Sequence, residues 1–174
     1  MMNVLQILLF ILPAYIANST PVIFGGGMPV DLRMKFTDGA RILGDGKTWR
    51  GLIAGLFLGS LTGLLEAQLC GSAVIPTQLC MDFAALGIVL STGTMLGDLA
   101  GSFVKRRMGM RRGHPSVVLD QLSFLLFALL LSIPYAPPGL LAVDSVAFLV
   151  VLTYLLHVIS NVAANRLGLK KVPW

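Results

Sequence analysis

Asp98 is the residue whose position in this sequence says most about chemistry. It lies inside an apolar stretch, seven residues before Lys105, which corresponds to about 10 Å along a helix. Charged side chains within membrane helices are costly, and they usually face the bundle interior or a watery cavity. The polar residues here recur three or four positions apart, which predicts one polar stripe on a helix face. The stripe consists of Ser91, Thr94, Asp98, Ser102 and Lys105.

A second carboxylate, Asp120, stands at the start of the next apolar segment, with Ser116 and Ser123 on the same predicted helix face. Mg²⁺ prefers one or two carboxylates together with substrate phosphates and water. We therefore predict that Asp98 and Asp120 hold Mg²⁺, and that the basic run at 105–107 receives phosphate charge. The alternative is that each Asp pairs with a nearby Arg and only anchors the loop between them.

A glycine-rich segment that begins at Arg41 contains the triplet Gly46-Lys47-Thr48. A P-loop needs a glycine where Arg41 stands and a strand before it, so that motif is excluded. What remains is a turn that presents Lys47, Thr48 and Arg50 at the start of a helix. Backbone N–H groups and a helix N-terminus both favour an anion there, so the segment predicts phosphate binding.

The last apolar segment carries His157, Asn161 and Asn165 at fourfold spacing, so the three side chains share one helix face. Two interpretations remain open. They form a structural hydrogen-bond ladder, or they belong to a polar substrate cavity formed by Ser102, His157 and Asn161.

The composition places these side chains in a membrane protein. Of the 174 residues, 56% are hydrophobic and 12% are charged, and the mean hydropathy is +0.84. An ordinary soluble domain is about 25% charged, so lipid is the expected solvent for much of the chain. The first Lys or Arg is Arg33, and no basic region precedes the apolar stretch at 2–18. That stretch is therefore expected to be a retained helix rather than a cleavable signal peptide.

Five apolar segments predict an all-α integral membrane bundle of five transmembrane helices in a single domain, residues 1–174. All 13 Lys and Arg residues lie at 19–50, at 105–116 and after residue 160. Basic loops stay in the cytoplasm. We therefore expect a cell-membrane protein with its N-terminus outside, its C-terminus inside, and a cytoplasmic active site formed by the loops at about 19–50 and 105–116. The segments are 2–18, 51–69, 83–104, 117–133 and 140–160.

Glycines recur at every fourth position in the second and third segments, a spacing that lets membrane helices approach closely. Such packing would hold Asp98 in a fixed place. Cys70 and Cys80 fall in one predicted outer loop, where an oxidising compartment permits a disulfide, and both the disulfide and two free thiols remain open. The glycines are Gly51, Gly55, Gly59, Gly63, Gly93, Gly97 and Gly101.

Several stretches together resemble the archaeal CDP-archaeol synthases, relatives of the bacterial and eukaryotic CDP-diacylglycerol synthases, over essentially the whole chain. The most specific are Gly-Lys-Thr-Trp-Arg-Gly at 46–51 and the tail Gly-Leu-Lys-Lys-Val-Pro-Trp at 168–174. The others are Ala-Asn-Ser-Thr-Pro-Val at 17–22, Pro-Val-Asp at 29–31, Phe-Thr-Asp-Gly at 36–39, Arg-Ile at 41–42, Gly-Asp at 97–98, Ser-Phe-Val-Lys-Arg-Arg at 102–107 and Leu-Asp-Gln at 119–121.

The wider family pairs a Ser-x-x-Lys-Arg segment, matched here at 102–106, with a later His-Gly-Gly-x-x-Asp-Arg-x-Asp segment that is matched only in part. After His114, Pro115 and Ser116 stand where the family segment has two glycines, and Asp120 comes one residue later than the first Asp of that segment. Gln121 stands in place of the Arg, and Ser123 in place of the last Asp. They favour the archaeal branch, and they remove a carboxylate that a second metal ion would use.

The resemblance implies a Mg²⁺-dependent membrane cytidylyltransferase. Such an enzyme transfers CMP from CTP to an ether-lipid phosphate with two geranylgeranyl chains, giving CDP-archaeol and pyrophosphate. The expected partners are CTP, the lipid phosphate and membrane lipid, and no nucleic acid is expected. The expected catalytic residues are Asp98, Asp120 and Lys105, and the expected CTP-binding residues are Asp45, Gly46, Lys47, Thr48, Arg50, Arg106 and Arg107.

Two other classes of protein remain open. Asp98 and Asp120 would serve a small transporter as an ion pathway, although both lie toward one membrane face and only Glu66 lies within a segment toward the other. A scaffold held together by glycine packing is the third class, but it leaves the segment at 46–51 unexplained. Turnover of CTP with a lipid phosphate distinguishes the three.

Overall fold

The computed structural model describes residues 3–110, 116 and 118–168. Within these residues the chain is helical and has no β-strand, which confirms the predicted all-α class for this part of the chain. A 3₁₀ turn at Thr77–Leu79 precedes the third helix, and a π turn at Val118–Leu122 leads directly into the fourth. The α-helices are α1 (Val4–Phe24), α2 (Trp49–Leu69), α3 (Phe83–Arg107), α4 (Ser123–Ser132) and α5 (Val143–Arg166).

Four of these helices, α1, α2, α3 and α5, are long and apolar enough to cross a membrane. Helix α4 has 10 residues and the π turn before it has 5. Together they extend about 22 Å at 1.5 Å per residue, whereas the hydrocarbon core of a bilayer is about 30 Å thick. A fifth full-length span over 117–133 is therefore not confirmed, and the sidedness of the termini stays a prediction.

The first helix is longer than its apolar pattern indicates, because it continues past residue 18 to Phe24. Pro21 cannot donate a hydrogen bond to the carbonyl four residues before it. Membrane helices tolerate such a proline because neighbouring groups satisfy the backbone. The helix continues past Pro21: the hydroxyl of Thr20 donates to the Ile16 carbonyl at 2.7 Å, and the N–H of Gly25 donates to the Pro21 carbonyl at 2.9 Å. The first loop consequently begins at Gly25, not near residue 19.

Helix α2 packs against α1 and α3 through its glycine stripe, as predicted. A Cβ atom on Gly59 would lie 2.9 Å from the Pro13 carbonyl oxygen and 2.6 Å from Cβ of Ser91. On the other side of α3, a Cβ on Gly93 would lie 2.6 Å from the Phe127 carbonyl oxygen of α4. Close backbone approach therefore fixes α3 between two helices. The buried residues of α2 are Gly51, Gly55, Gly59, Gly63 and Glu66.

An apolar core fills the space between α1, α3, α4 and α5, where Phe10, Leu90, Phe124 and Leu149 are fully or almost fully buried. At the opposite end from the first loop, Cys70 and Cys80 form a disulfide, with their Cα atoms 5.6 Å apart. This pairing decides between the two alternatives that the sequence left open for the cysteines.

Candidate active site

The loop between α1 and α2 is organised around Asp31, whose side chain is completely buried. Two nitrogens of the Arg41 guanidinium donate to its carboxylate at 2.6 and 3.2 Å. The backbone N–H groups of Arg33, Leu43 and Gly44 donate to the same carboxylate at 3.1, 3.0 and 3.0 Å. One side chain thus ties the part of the loop at 31–33 to the part at 41–44.

The electrostatics of this cluster keep both partners charged. Burial on its own would raise the pKa of Asp31, but the hydrogen bonds from Arg41 and from the loop backbone outweigh it, so the pKa lies well below its ordinary value. Contacts with Asp31 and then Asp45 raise the pKa of the Arg41 guanidinium. Sequence reasoning assigned no function to Asp31 or Arg41. The available signal was the Pro-Val-Asp motif at 29–31.

The end of the loop is fixed to the start of α2 by Thr48. Its hydroxyl oxygen accepts hydrogen bonds from the N–H groups of Gly51 at 3.2 Å and Gly26 at 3.1 Å, so Thr48 is the N-cap of the helix. The backbone of Lys47 is also fixed, because its carbonyl accepts a hydrogen bond from the N–H of Val30 at 2.8 Å. The Lys47 side chain therefore leaves the loop from a fixed position.

Lys47 reaches the intramembrane carboxylate of Asp98, and its ammonium lies 2.6 and 2.7 Å from the two oxygens. The two side chains are 28% and 29% exposed, which leaves them accessible to a ligand. They border a recess between the loop, α1, α2 and α3. The recess is lined by Pro21, Gly46, Lys47, Thr48, Gly51, Leu52, Met95, Asp98 and Leu99.

A second pair, Lys105 and Asp120, lies farther along the same face of α3, because Lys105 follows Asp98 by two helical turns. The ammonium of Lys105 donates to one oxygen of Asp120, and the N–H of Ser116 donates to the other at 3.0 Å. Both predicted metal ligands are thus paired with lysines. Among the described residues, no arginine takes the place of these lysines as the alternative reading expected.

Arg107 clamps the first loop onto the last turn of α3. Its guanidinium donates to Asp38 at 2.9 Å and to the Arg41 carbonyl at 2.5 Å. It also lies over the rings of Phe36 and Phe103, at 4.8 and 5.0 Å from their centroids. These contacts engage the Arg107 side chain in the loop, and its role in binding CTP stays a prediction.

The other predicted phosphate-binding residues lie around the same loop. Arg106 packs against Gly44, and its buried Nε has no hydrogen-bond partner among the described residues. Arg50 is exposed in the first turn of α2. Asp45 contacts Arg41 at 2.8 Å rather than pointing at the recess, so its side chain supports the loop.

None of Ser102, His157 and Asn161 lines this recess, so the polar cavity that the sequence suggested for them stays a prediction. The hydroxyl of Ser102 donates to the Asp98 carbonyl of its own helix at 2.9 Å. The ring of His157 stacks on Phe124 with centroids 5.9 Å apart. His114, Lys170 and Lys171 lie outside the described residues.

The donor set suits Mg²⁺ only if a substrate completes the coordination. In the described part of the chain, no three or more His, Cys, Asp or Glu side chains come close enough to hold a metal ion together. Asp98 and Asp120 offer hard carboxylate oxygens that are partly exposed. Mg²⁺ commonly binds through one or two such groups together with phosphate oxygens and water, so each of these two carboxylates has the chemistry that this role requires.

The family of this chain follows from its sequence. The family model for CarS-like CDP-archaeol synthase matches residues 1–174. The chain belongs to the CDP-archaeol synthase family. The CDP-archaeol synthase of Pyrococcus horikoshii is 46% identical over 176 residues, covering 100% of this chain and 99% of the relative. That of Methanococcus aeolicus is 42% identical over 175 residues, covering 98% and 97%.

A solved structure similar to this one is described as an intramembrane enzyme for archaeal membrane lipids biosynthesis. It has a TM-score of 0.77 and 41% sequence identity, and the match covers 91% of this chain and 94% of the other. The matching family is described as a synthase, and the similar solved structure is described as an enzyme. They support the enzyme over the transporter and the scaffold that the residues alone left open.

Proposed function

We propose that this chain transfers CMP from CTP to 2,3-bis-O-geranylgeranyl-sn-glycerol 1-phosphate, giving CDP-archaeol and pyrophosphate. The observation that supports this best is the contact between Lys47, on the glycine-rich loop, and Asp98, inside a membrane helix. A water-soluble triphosphate and a membrane-bound phosphate must meet at the membrane surface. The recess beside this pair opens where a polar loop and an apolar bundle join.

The reaction makes modest demands on the protein. An oxygen of the lipid phosphate attacks the α-phosphorus of CTP and forms a new P–O bond. The bond between the α-phosphorus and the bridging oxygen breaks, and pyrophosphate leaves with the electron pair. A phosphate monoester is already anionic near neutral pH, so a strong general base is not required. Positioning and charge neutralisation are the main contributions left to the protein.

The cations of the site have distinct roles in this proposal. Lys47 and Arg106 neutralise the triphosphate, since Lys47 belongs to the loop, Arg106 packs against it, and the buried Nε of Arg106 has no hydrogen-bond partner in the described part of the chain. Arg50 adds charge at the start of α2. The hydroxyl oxygen of Thr48 accepts hydrogen bonds from two backbone N–H groups. Its hydroxyl hydrogen therefore remains available as a donor.

Asp98 and Asp120 would hold Mg²⁺ together with the phosphates, and the ion when bound supplies charge neutralisation and orients the leaving group. Lys47 and Lys105 keep the two carboxylates paired before substrate arrives. Each lysine then exchanges a carboxylate for a phosphate oxygen, so no charge is left alone in the low-dielectric bundle at any stage.

The direct test is turnover by the purified protein. The protein in detergent is incubated with CTP labelled at the α-phosphate, Mg²⁺ and the lipid phosphate, and both CDP-lipid and pyrophosphate are measured. We expect stoichiometric formation of the two products, and none when the lipid phosphate is omitted. Ion uptake by proteoliposomes without turnover would support the transporter, and the absence of both activities would support the scaffold.

A further inference from the structure

The first loop exposes large apolar side chains where a water-exposed loop would carry polar ones. Met28, Leu32, Met34 and Phe36 are 64%, 54%, 53% and 44% exposed. Exposed apolar clusters of this kind mark contact surfaces. The apolar residues between 32 and 36 alternate with Arg33 and Lys35. We call residues 32–36 the rim segment.

The position of the rim segment follows from how Phe36 packs. Phe36 contacts Phe103 of α3 edge to face, with ring centroids 5.4 Å apart. Helix α3 faces α2 through Ser91 and α4 through Gly97. At about 100° per residue, Phe103 lies roughly 120° from both of these faces, on the side of α3 where Ile88 and Leu96 are exposed. The rim segment therefore sits at the lipid-facing perimeter of the bundle.

The backbone of the rim segment is held in an unusual conformation that displays these side chains. Leu32 and Arg33 have φ angles of 47° and 65°, a left-handed region that residues other than glycine rarely adopt. The buried carboxylate of Asp31 stabilises this turn through the N–H of Arg33. A short antiparallel pairing follows, in which the N–H of Phe36 donates to the Ala40 carbonyl at 2.8 Å.

Charge and depth identify what covers this surface. Arg33 and Lys35 are exposed, and neither belongs to any ion pair seen in the described residues. Phe103 stands just before the basic end of a membrane-spanning helix, a level at which headgroups meet acyl chains. Apolar side chains interleaved with cations suit the surface of an anionic leaflet.

We propose that the rim segment inserts Leu32 and Met34 into the headgroup–acyl boundary of the surrounding leaflet, while Arg33 and Lys35 bind anionic lipid headgroups. The occupant is bulk membrane lipid, not a substrate molecule. This contact holds the outer edge of the loop whose other end carries Lys47, so it anchors the loop at the depth of the recess.

Depth-dependent quenching tests the proposal. An environment-sensitive fluorophore is attached to Met34→Cys in nanodiscs made without substrate lipid, with Cys70 and Cys80 left oxidised, and the matched control is Thr37→Cys beyond the segment. We expect lipids spin-labelled near the headgroup to quench the label at position 34 at least twofold more than at 37, and an aqueous quencher to show the reverse. Equal quenching at both positions would overturn the proposal.

The lipid charge provides the second measurement. Quenching at position 34 should be stronger in anionic than in zwitterionic nanodiscs, and this difference should disappear in the Arg33→Gln, Lys35→Gln background. If the charge dependence survives that change, the headgroup assignment is wrong. If quenching appears only when the lipid phosphate substrate is added, the segment binds substrate and not the bulk membrane. Neither result depends on whether the chain turns over CTP.

Discussion

The ammonium of Lys47 lies within 2.7 Å of both carboxylate oxygens of Asp98, although 51 positions separate the two residues in the chain. Lys47 belongs to a polar loop and Asp98 to the interior of α3. Their contact brings a cation that could bind phosphate and a carboxylate that could bind a metal ion to one recess at the end of the bundle. The first two predictions follow from it.

Replacing Lys47 by Ala should weaken CTP binding by at least tenfold. A charge-assisted hydrogen bond to phosphate is worth about 1.5–3 kcal/mol, and the variant also leaves Asp98 unpaired beside the incoming phosphates. Calorimetry of CTP binding measures the change. Arg166→Ala is the control, because this exposed cation at the end of α5 is not among the residues lining the recess. Unchanged CTP affinity in Lys47→Ala would refute the assignment.

Asp98→Asn and Asp120→Asn should each nearly abolish Mg²⁺-dependent turnover while the protein remains folded. Asn keeps the shape of Asp but lacks its charge, so it binds Mg²⁺ poorly. The double variant should be little worse than either single variant, because residues that act as a unit are non-additive. Asp144→Asn, exposed at the start of α5, is the control for charge loss. Substantial activity of either folded single variant would exclude this metal site.

Asp31→Asn should raise the KM for CTP by roughly tenfold through disorder of the loop, with little change in thermal stability of the bundle. Asn cannot match the charge-assisted bonds from Arg41 and retains only part of the backbone network. Asp45→Asn removes the more exposed partner of Arg41 and should change KM far less, since exposed ion pairs contribute little. Equal effects of the two substitutions would contradict the organising role of Asp31.

The lowered pKa of Asp31 gives this loop a defined pH response. A carboxyl whose pKa is lower in the folded state stabilises the fold above its unfolded pKa of about 3.9, and the contribution is lost as pH falls toward the folded value. Pepsin cleavage between residues 25 and 48 should therefore stay slow at pH 4 and accelerate only at lower pH. In Asp31→Asn, cleavage should already be fast at pH 4.

Gly63→Ala should lower the melting temperature in detergent, because the new methyl group would clash with the Phe83 carbonyl and with Gly87. Overpacking of this kind costs about 1–3 kcal/mol. The control is Leu65→Ala, two residues away on the exposed side of α2, which should melt close to the unchanged protein. A variant Gly63→Ala that melts no lower than this control would show that the α2–α3 contact is loose.

The predicted topology places the loop after α2 outside and the loop after α3 inside. In a background with Cys70→Ser and Cys80→Ser, an impermeant maleimide added to intact cells should label Ser72→Cys and miss Ser116→Cys. Permeabilised cells should show labelling of both. The reverse pattern on intact cells would invert the topology and move the site to the opposite face of the membrane.

The sequence by itself determined the features that depend on local periodicity and composition. Apolar runs predicted the helices, fourfold glycine spacing predicted the α2 and α3 packing faces, and the isolated charge of Asp98 pointed to the recess that it lines. The segment at 46–51 and the tail indicated the family. These are properties of single helices or short motifs, so they can be read without knowing which helices touch.

The tertiary structure decided which charges meet. The loop from Gly25 to Thr48 carries several cations and acids, and their spacing does not reveal that Arg41 pairs with Asp31 and Lys47 with Asp98. Nor does the sequence reveal that Arg107 clamps the loop through Asp38 and the Arg41 carbonyl. Each pairing depends on how a loop of irregular backbone folds back over α3. Coulomb attraction alone differs little between one oppositely charged partner and another. Backbone hydrogen bonding and burial determine which partner each charged side chain contacts.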